Sequence, residues 1–183
     1  MLVPIFDLDG TLLDSDRALV AAFAALGVPP ETVTFGHVIG EECQRLGISL
    51  DDYAAAYDPA LAAPYPGIDE LLGALHRWAV CSNKHAGSAR AELDRLGWSP
   101  SAAFFSEDFS GPKRLAPVLR ALGLDPGGAI YIGDTGHDRA CAAEAGVAYV
   151  VAGWNPRAER RRGDTVLFHP SELLKYLPIL NEH

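Results

Sequence analysis

The sequence is poor in cations, in sulfur and in long apolar runs. Lys and Arg total 15 against 24 Asp and Glu in 183 residues, a formal charge of −9. Proteins that hold nucleic acid or an anionic bilayer are ordinarily basic, so neither partner is expected. Three cysteines, Cys43, Cys81 and Cys141, are too few and too scattered for a disulfide framework or a zinc ribbon. They read as small buried apolar side chains. The longest apolar run, Ala18 to Leu26, is far short of the ~20 residues that span a bilayer. The run Leu2 to Phe6 is broken by Asp7 and Asp9 and has no basic flank, unlike a signal peptide. A soluble cytoplasmic protein, monomer or homodimer, is the expectation.

What is present is material for a core. Apolar residues make up 49% and charged residues 21%, which excludes a disordered chain. The length suits one domain with a modest insert. Short continuous apolar runs end at polar residues or Gly: Val3–Phe6, Trp78–Cys81, Ala102–Phe105, Ala129–Ile132, Val147–Val151 and, more weakly, Thr165–Phe168. Unbroken apolar strands are those buried on both faces, as in a parallel sheet covered by helices. Helical patterns lie between them, over Ile68–Arg77, Ala86–Leu96, Leu115–Leu122 and Asp138–Ala145, with a last helix from Pro170 through Leu180. The alternation predicts an α/β fold, a doubly wound Rossmann-like parallel sheet. Ser15 to Pro64 breaks it, with no convincing strand and three helical segments: one capped by Asp14, Ser15 or Asp16 and running to Leu26, then Glu31–Leu46 and Leu50–Tyr57. The expected division is a core of residues 1–14 and 65–183 with a small helical cap, 15–64, inserted after the first strand.

Chemistry gathers at strand ends. Asp7 and Asp9 leave the first strand at its carboxyl end, the edge where open α/β sheets bind ligands. Alone, Asp-Leu-Asp-Gly could be an ordinary turn with Gly10 at positive φ. Gly133-Asp134-Thr135-Gly136-His137-Asp138 supplies a second acidic pair, although Asp134 or Thr135 could equally cap a helix. Ser82-Asn83-Lys84 puts a hydroxyl and an amide where a helix begins, and free N–H groups at helix starts hold phosphate. Lys113 precedes another helix and by itself would be a surface lysine. If the sheet is parallel, these sites converge, and Asp7, Asp9, Asp134 and Asp138 share a small volume. Two unit charges 4 Å apart repel by about 4 kcal/mol at an effective dielectric of 20. Either some carboxyl pKa values rise or a cation binds. Mg²⁺, hard and oxygen-ligated, is the expected cation. His37, Arg45, His85 and His137 read as solvated or bystander groups. Arg157, Arg160, Arg161 and Arg162 read as a solvated face.

Together these motifs resemble the haloacid dehalogenase superfamily, closest to its phosphoglycolate-phosphatase-like branch with a reduced helical cap. Asp7-Leu8-Asp9-Gly10-Thr11-Leu12 matches the first family motif, Ser82-Asn83-Lys84 the second, Lys113 the third and Gly133 to Asp138 the fourth. Arg114 and His85 stand where the family often has Pro. The resemblance implies a phosphatase acting on a small phosphorylated metabolite such as phosphoglycolate, a sugar phosphate or a nucleoside monophosphate. It implies Asp7 as nucleophile, forming an aspartyl-phosphate, and Asp9 as general acid and base. Mg²⁺ would sit on the Asp7 and Asp134 carboxylates and the Asp9 carbonyl. Ser82, Asn83 and Lys113 would bind phosphate; Asp138 would orient a neighbouring group, and Thr11 would hold the turn. A phosphomutase is the nearest alternative, although Thr11 stands where mutases commonly have Val. A non-catalytic phosphate-accepting module is the other, although it would usually have lost one of these positions.

Overall fold

The computed structural model describes residues 2–177. Its strands are β1 (Val3–Phe6), β2 (Leu13–Asp14), β3 (Ala63–Pro64), β4 (Ala79–Cys81), β5 (Ala102–Phe104), β6 (Ala129–Gly133), β7 (Ala148–Ala152) and β8 (Val166–Leu167). Its helices are α1 (Asp16–Ala25), α2 (Ile39–Leu46), α3 (Leu50–Ala56), α4 (Ile68–Gly73), α5 (Ala86–Leu96), α6 (Leu115–Leu122) and α7 (Gly136–Ala145). Six strands form one sheet in the order β5-β4-β1-β6-β7-β8, and every pairing is parallel. The chain builds outward from β1 to β4 and β5, then crosses to the other side for β6, β7 and β8. The carboxyl ends of β1, β4 and β6 therefore meet where the winding reverses, the position at which such sheets bind ligands.

The alternation of side chains along each strand divides the interior into two layers. Val3, Ile5, Ala79, Cys81 and Tyr131 pack with Leu115, Val118 and Leu119 of α6 and Ala142 of α7. Phe6, Val80, Ile130 and Ile132 face the other way, toward Leu71, Leu72, Ala89 and Leu93. This second layer continues without a break into Phe23, Cys43 and Tyr53 of the inserted helices, with the Phe23 and Tyr53 rings 4.9 Å apart. Replacing a fully buried Phe such as Phe23 by Ala would cost about 3–5 kcal/mol. All three cysteines are buried and unpaired, as expected of small apolar side chains.

Several elements differ from the sequence reading. The expected helix Glu31–Leu46 is one 3₁₀ turn, Pro30–Thr32, followed by a loop and then α2. Gly36 explains the break: its φ is +80°, and a Cβ there would stand 3.0 Å from Thr135 Cγ2. The insert also contains a strand, since Ala63 pairs with Asp14 and Pro64 with Leu13 in an antiparallel two-stranded ribbon joining its two connections. Helix α4 stops at Gly73 rather than Arg77, and the last helix is a 3₁₀ segment, Pro170–Lys175. The expected remainder of that last helix, 178–180, lies outside the described residues. Ser15 occupies the N-cap position of α1 but accepts no capping bond, and its hydroxyl donates to Asp9.

Candidate active site

The ladders of the sheet fix the backbone under the site. Asp7 N–H donates to Ile132 O at 2.9 Å, and Ser82 N–H donates to Phe104 O at 3.0 Å. Asp7 is thus held by β6 and Ser82 by β5 at the strand ends. The turn after Asp9 closes on Leu8 O, which accepts from the backbone N–H groups of Thr11, Leu12 and Leu13. Gly10 is required here. Its φ is +76°, and a Cβ would lie 2.3 Å from Asp134 Oδ2.

Asp7, Asp134 and Asp138 each place a carboxylate oxygen within 4.8 Å of the others, and all three residues are buried. The carboxylates differ in what holds them. Asp138 is saturated: Oδ1 accepts from Tyr131 OH at 3.0 Å and pairs with Lys113 Nζ at 2.6 Å. Its Oδ2 accepts from Asp134 N–H, Thr135 N–H and the Thr135 hydroxyl at 3.0, 2.8 and 2.8 Å. Burial opposes its charge, but Lys113 and the Thr135 bonds outweigh burial and hold its pKa below the usual carboxylate value. Asp134 takes one donor per oxygen, Thr11 Oγ at 3.1 Å and Asn155 Nδ2 at 3.0 Å. Its pKa is driven upward by burial and by the charges of Asp138 and Asp7. Asp7 Oδ1, buried, forms an ion pair with Lys113 Nζ at 2.9 Å, yet no donor, that ammonium included, meets it in hydrogen-bond alignment. Burial, reinforced by Asp138 and opposed by Lys113, pushes its pKa up to about 7.

The cluster fits a hard divalent cation. It has more negative charge than Lys113 neutralises, a buried Asp7 oxygen with no hydrogen bond, and oxygen ligands only. Lys113 itself is held charged: burial works against the ammonium, but Asp138 and Asp7 more than compensate.

Asp9 belongs to a different group. Its carboxylate is not among the three clustered ones; Oδ1 accepts from Lys84 Nζ at 2.6 Å and from the Ser15 hydroxyl. Lys84 also meets the Tyr57 hydroxyl at 2.7 Å and Glu92 Oε1 at 3.1 Å. Glu92 is wholly buried on α5, and burial raises its pKa to about 7 against the lowering effect of Lys84. Lys84 stays charged because Asp9 and Glu92 overcome the burial that would neutralise it.

All the sequence-derived positions therefore line or underlie one cleft of about 700 Å³, open to solvent. Ser82 and Asn83 are in its wall, but the Asn83 side chain is occupied: Oδ1 accepts from Lys113 N–H at 2.8 Å and Nδ2 donates to Gly36 O at 3.3 Å. Thr11 holds Asp134 as well as the turn. Residues of the insert roof the cleft, among them Thr34, Phe35, His37 and Glu42. Burial opposes the Glu42 charge, but bonds from Arg45 and Thr34 prevail and hold its pKa low. Arg157, expected on a solvated face, is exposed, and it also lines the cleft, pairs with Asp16 and lies 4.7 Å from the Phe35 ring centre.

Sequence reasoning missed Tyr57, Glu92 and Asn155. The first two sit in helical patterns where they look like ordinary amphipathic positions. Asn155 follows β7 in Gly153-Trp154-Asn155-Pro156, which reads as a turn. Its Nδ2 bridges Gly10 O at 2.9 Å and Asp134, and Trp154 Nε1 donates to Thr11 O at 2.8 Å.

A family model described as haloacid dehalogenase-like hydrolase matches residues 3–146. The chain belongs to that family. It is an enzyme, of the phosphoric monoester hydrolase class. Among its relatives, the N-acetylmuramic acid 6-phosphate phosphatase of Pseudomonas aeruginosa is 27% identical, over 94% of this chain and 93% of that one. A phosphoglycolate phosphatase of Rhodospirillum rubrum is 31% identical over 80% and 77%. A solved haloacid dehalogenase-like hydrolase of Streptococcus pneumoniae superposes with a TM-score of 0.78 at 23% identity, over 97% of this chain and 99% of that one. That likeness establishes the doubly wound fold of this hydrolase. Among its described residues, no helix is long and apolar enough to cross a membrane.

Proposed function

We propose that this hydrolase cleaves a small phosphomonoester through an aspartyl-phosphate on Asp7, with Mg²⁺ as its cofactor. The observation that carries the reading is Asp7: a buried carboxylate whose Oδ1 meets only the Lys113 ammonium, out of hydrogen-bond alignment, at the base of a cleft walled by Ser82. An Asp7 oxygen attacks phosphorus, and the bond from phosphorus to the leaving oxygen breaks. The Ser82 hydroxyl and the Asn83 backbone N–H donate to the phosphoryl oxygens. Asn83 contributes its backbone, because its side-chain amide already ties Gly36 to the Lys113 loop. Lys113 has one N–H beyond its two carboxylate partners, and directs it at the moving phosphoryl group. Asp9 gives a proton to the leaving oxygen, then takes one from the water that hydrolyses the acyl phosphate.

The Asp7 and Asp134 carboxylates and the Asp9 carbonyl would hold Mg²⁺, whose charge offsets the repulsion between nucleophile and phosphate. Asp138 has five protein donors on its two oxygens and orients Lys113 and the Asp134 loop instead. Residues 15–64 act as a cap over the core of 1–14 and 65–183, excluding water and meeting the leaving group. Substrates of the size of a phosphoglycolate, a sugar phosphate or a nucleoside monophosphate suit this reading, and two relatives are named for phosphoglycolate and an amino-sugar-acid phosphate. Hydrolysis of p-nitrophenyl phosphate tests it. Activity is expected with Mg²⁺, to vanish with chelator and to vanish in Asp7→Asn. Equal rates in all three would refute it.

A further inference from the structure

Two buried lysines face this cleft, and counting their donors separates them. An ammonium has three N–H groups and accepts nothing. Lys113 meets two carboxylates, which leaves one N–H for a ligand. Lys84 has three partners already: Asp9 Oδ1 at 2.6 Å, the Tyr57 hydroxyl at 2.7 Å and Glu92 Oε1 at 3.1 Å. None of its donors remains for a phosphoryl oxygen. Its partners come from three parts of the chain. Asp9 follows β1, Tyr57 closes α3 in the insert, and Glu92 lies on α5. The Tyr57 hydroxyl donates in turn to Glu92 Oε1 at 2.5 Å. On the same helix, Arg95 donates to Ala62 O, at the point where the insert returns to the core. Lys84 and Ser15 both engage Oδ1 of Asp9, while no protein donor among the described residues engages Oδ2. The Asp9 side chain, 39% exposed, is thereby fixed by one oxygen with the other free.

We propose that Lys84 is a positioning residue: clamped by Glu92 from the core and Tyr57 from the insert, it aims the free oxygen of Asp9 at the leaving group. This rests on the phosphatase reading above and adds to it a residue that acts on proton transfer without touching phosphate. It also makes Asp9 responsive to the placement of the insert, since one of the three Lys84 partners belongs to that segment.

The test compares two aryl phosphates of nearly equal shape. p-Nitrophenolate leaves as an anion, whereas phenolate gains far more from a proton delivered as the bond breaks. The ratio kcat/KM reports steps through leaving-group departure, before hydrolysis of the acyl phosphate. Lys84→Met is expected to lower kcat/KM for phenyl phosphate by about 10²-fold, as misplacement of a reacting group does. The loss for p-nitrophenyl phosphate should be several-fold smaller, and the inhibition constant of inorganic phosphate should not change. Tyr57→Phe, which keeps Lys84 and its two carboxylates, should shift the same substrate ratio in the same direction by a smaller factor, and it decides the matter if Lys84→Met does not fold. Equal losses on both substrates, no loss, or a weakened phosphate inhibition constant would each overturn the proposal. If the unsubstituted chain with Mg²⁺ hydrolysed neither compound, the phosphatase reading would fall first and this one with it.

Discussion

Removing the charge of Asp7, the proposed nucleophile, should make the metal-free protein more stable. Ionised Asp7 is held in the folded chain by burial against it and by the neighbouring Asp138 charge, with Lys113 only partly compensating; its pKa moves from 3.8 to about 7. A carboxyl whose folded pKa is raised binds its proton more tightly in the folded state. The penalty is therefore absent below about pH 3.8, grows as pH rises, and is complete above about pH 7. At 1.36 kcal/mol per pH unit this penalty is about 4 kcal/mol at pH 8 and less than half of that at pH 5. Water penetration and movement of Lys113 reduce the first figure to about 2–4 kcal/mol. Asp7→Asn keeps the shape and removes the charge. In chelator at pH 8 its Tm should exceed that of the native chain by about 5–15 °C, at the ~2–4 °C per kcal/mol usual for this size. The gain should shrink at pH 5. Adding Mg²⁺ should then narrow the difference and, at about 1,000 times Kd, where ligand adds about 4.1 kcal/mol, close or reverse it, because only the native chain keeps the full ligand set. The assay is thermal unfolding followed by circular dichroism, at both pH values, with and without Mg²⁺. An Asp7→Asn chain no more stable than native at pH 8 in chelator, or with the same gain at pH 5, would refute the electrostatic account.

Other outcomes follow from the same cluster. Asn155→Ala removes the bridge from Gly10 O to Asp134 Oδ2 and should weaken Mg²⁺ binding by about 10–100-fold in calorimetric titration while the far-ultraviolet spectrum is unchanged; unaltered affinity would show that Asn155 does not orient Asp134. The Mg²⁺-induced rise in Tm should be smaller at pH 6 than at pH 8, since protons compete for Asp7, whose pKa is near 7, and for Asp134, whose pKa is also raised. An equal rise at both pH values would mean that the ion binds elsewhere.

Much of the candidate site was legible because its residues announce themselves locally. Asp7, Ser82 and Asp134 each end a continuous apolar run, and a run buried on both faces signals a parallel strand whose carboxyl end is where ligands bind. Gly10 was legible in kind, as a turn glycine, but the reason it must be Gly is the Asp134 carboxylate, 124 positions away in sequence. The helix expected over Glu31–Leu46 failed for a related reason. Residues 33–38, Val-Thr-Phe-Gly-His-Val, are weak helix formers, and Gly36 packs against Thr135 and accepts from Asn83, contacts that hold a loop over the cleft. Ser15 was legible as a helix cap, but its hydroxyl serves Asp9.

The amino-acid order alone settled the parallel α/β sheet, the place of the insert and the acidic and basic groups at the strand ends, because periodicity and strand-terminal chemistry are local properties. Tertiary structure decided how those groups divide: Asp7 Oδ1 left without a hydrogen bond, Asp138 saturated, Lys113 with a spare donor and Lys84 with none. That division depends on Tyr57, Glu92, Tyr131 and Asn155, whose side chains meet their partners across separate strands, helices and loops, and no local pattern in the chain marks such a hydrogen-bond partner.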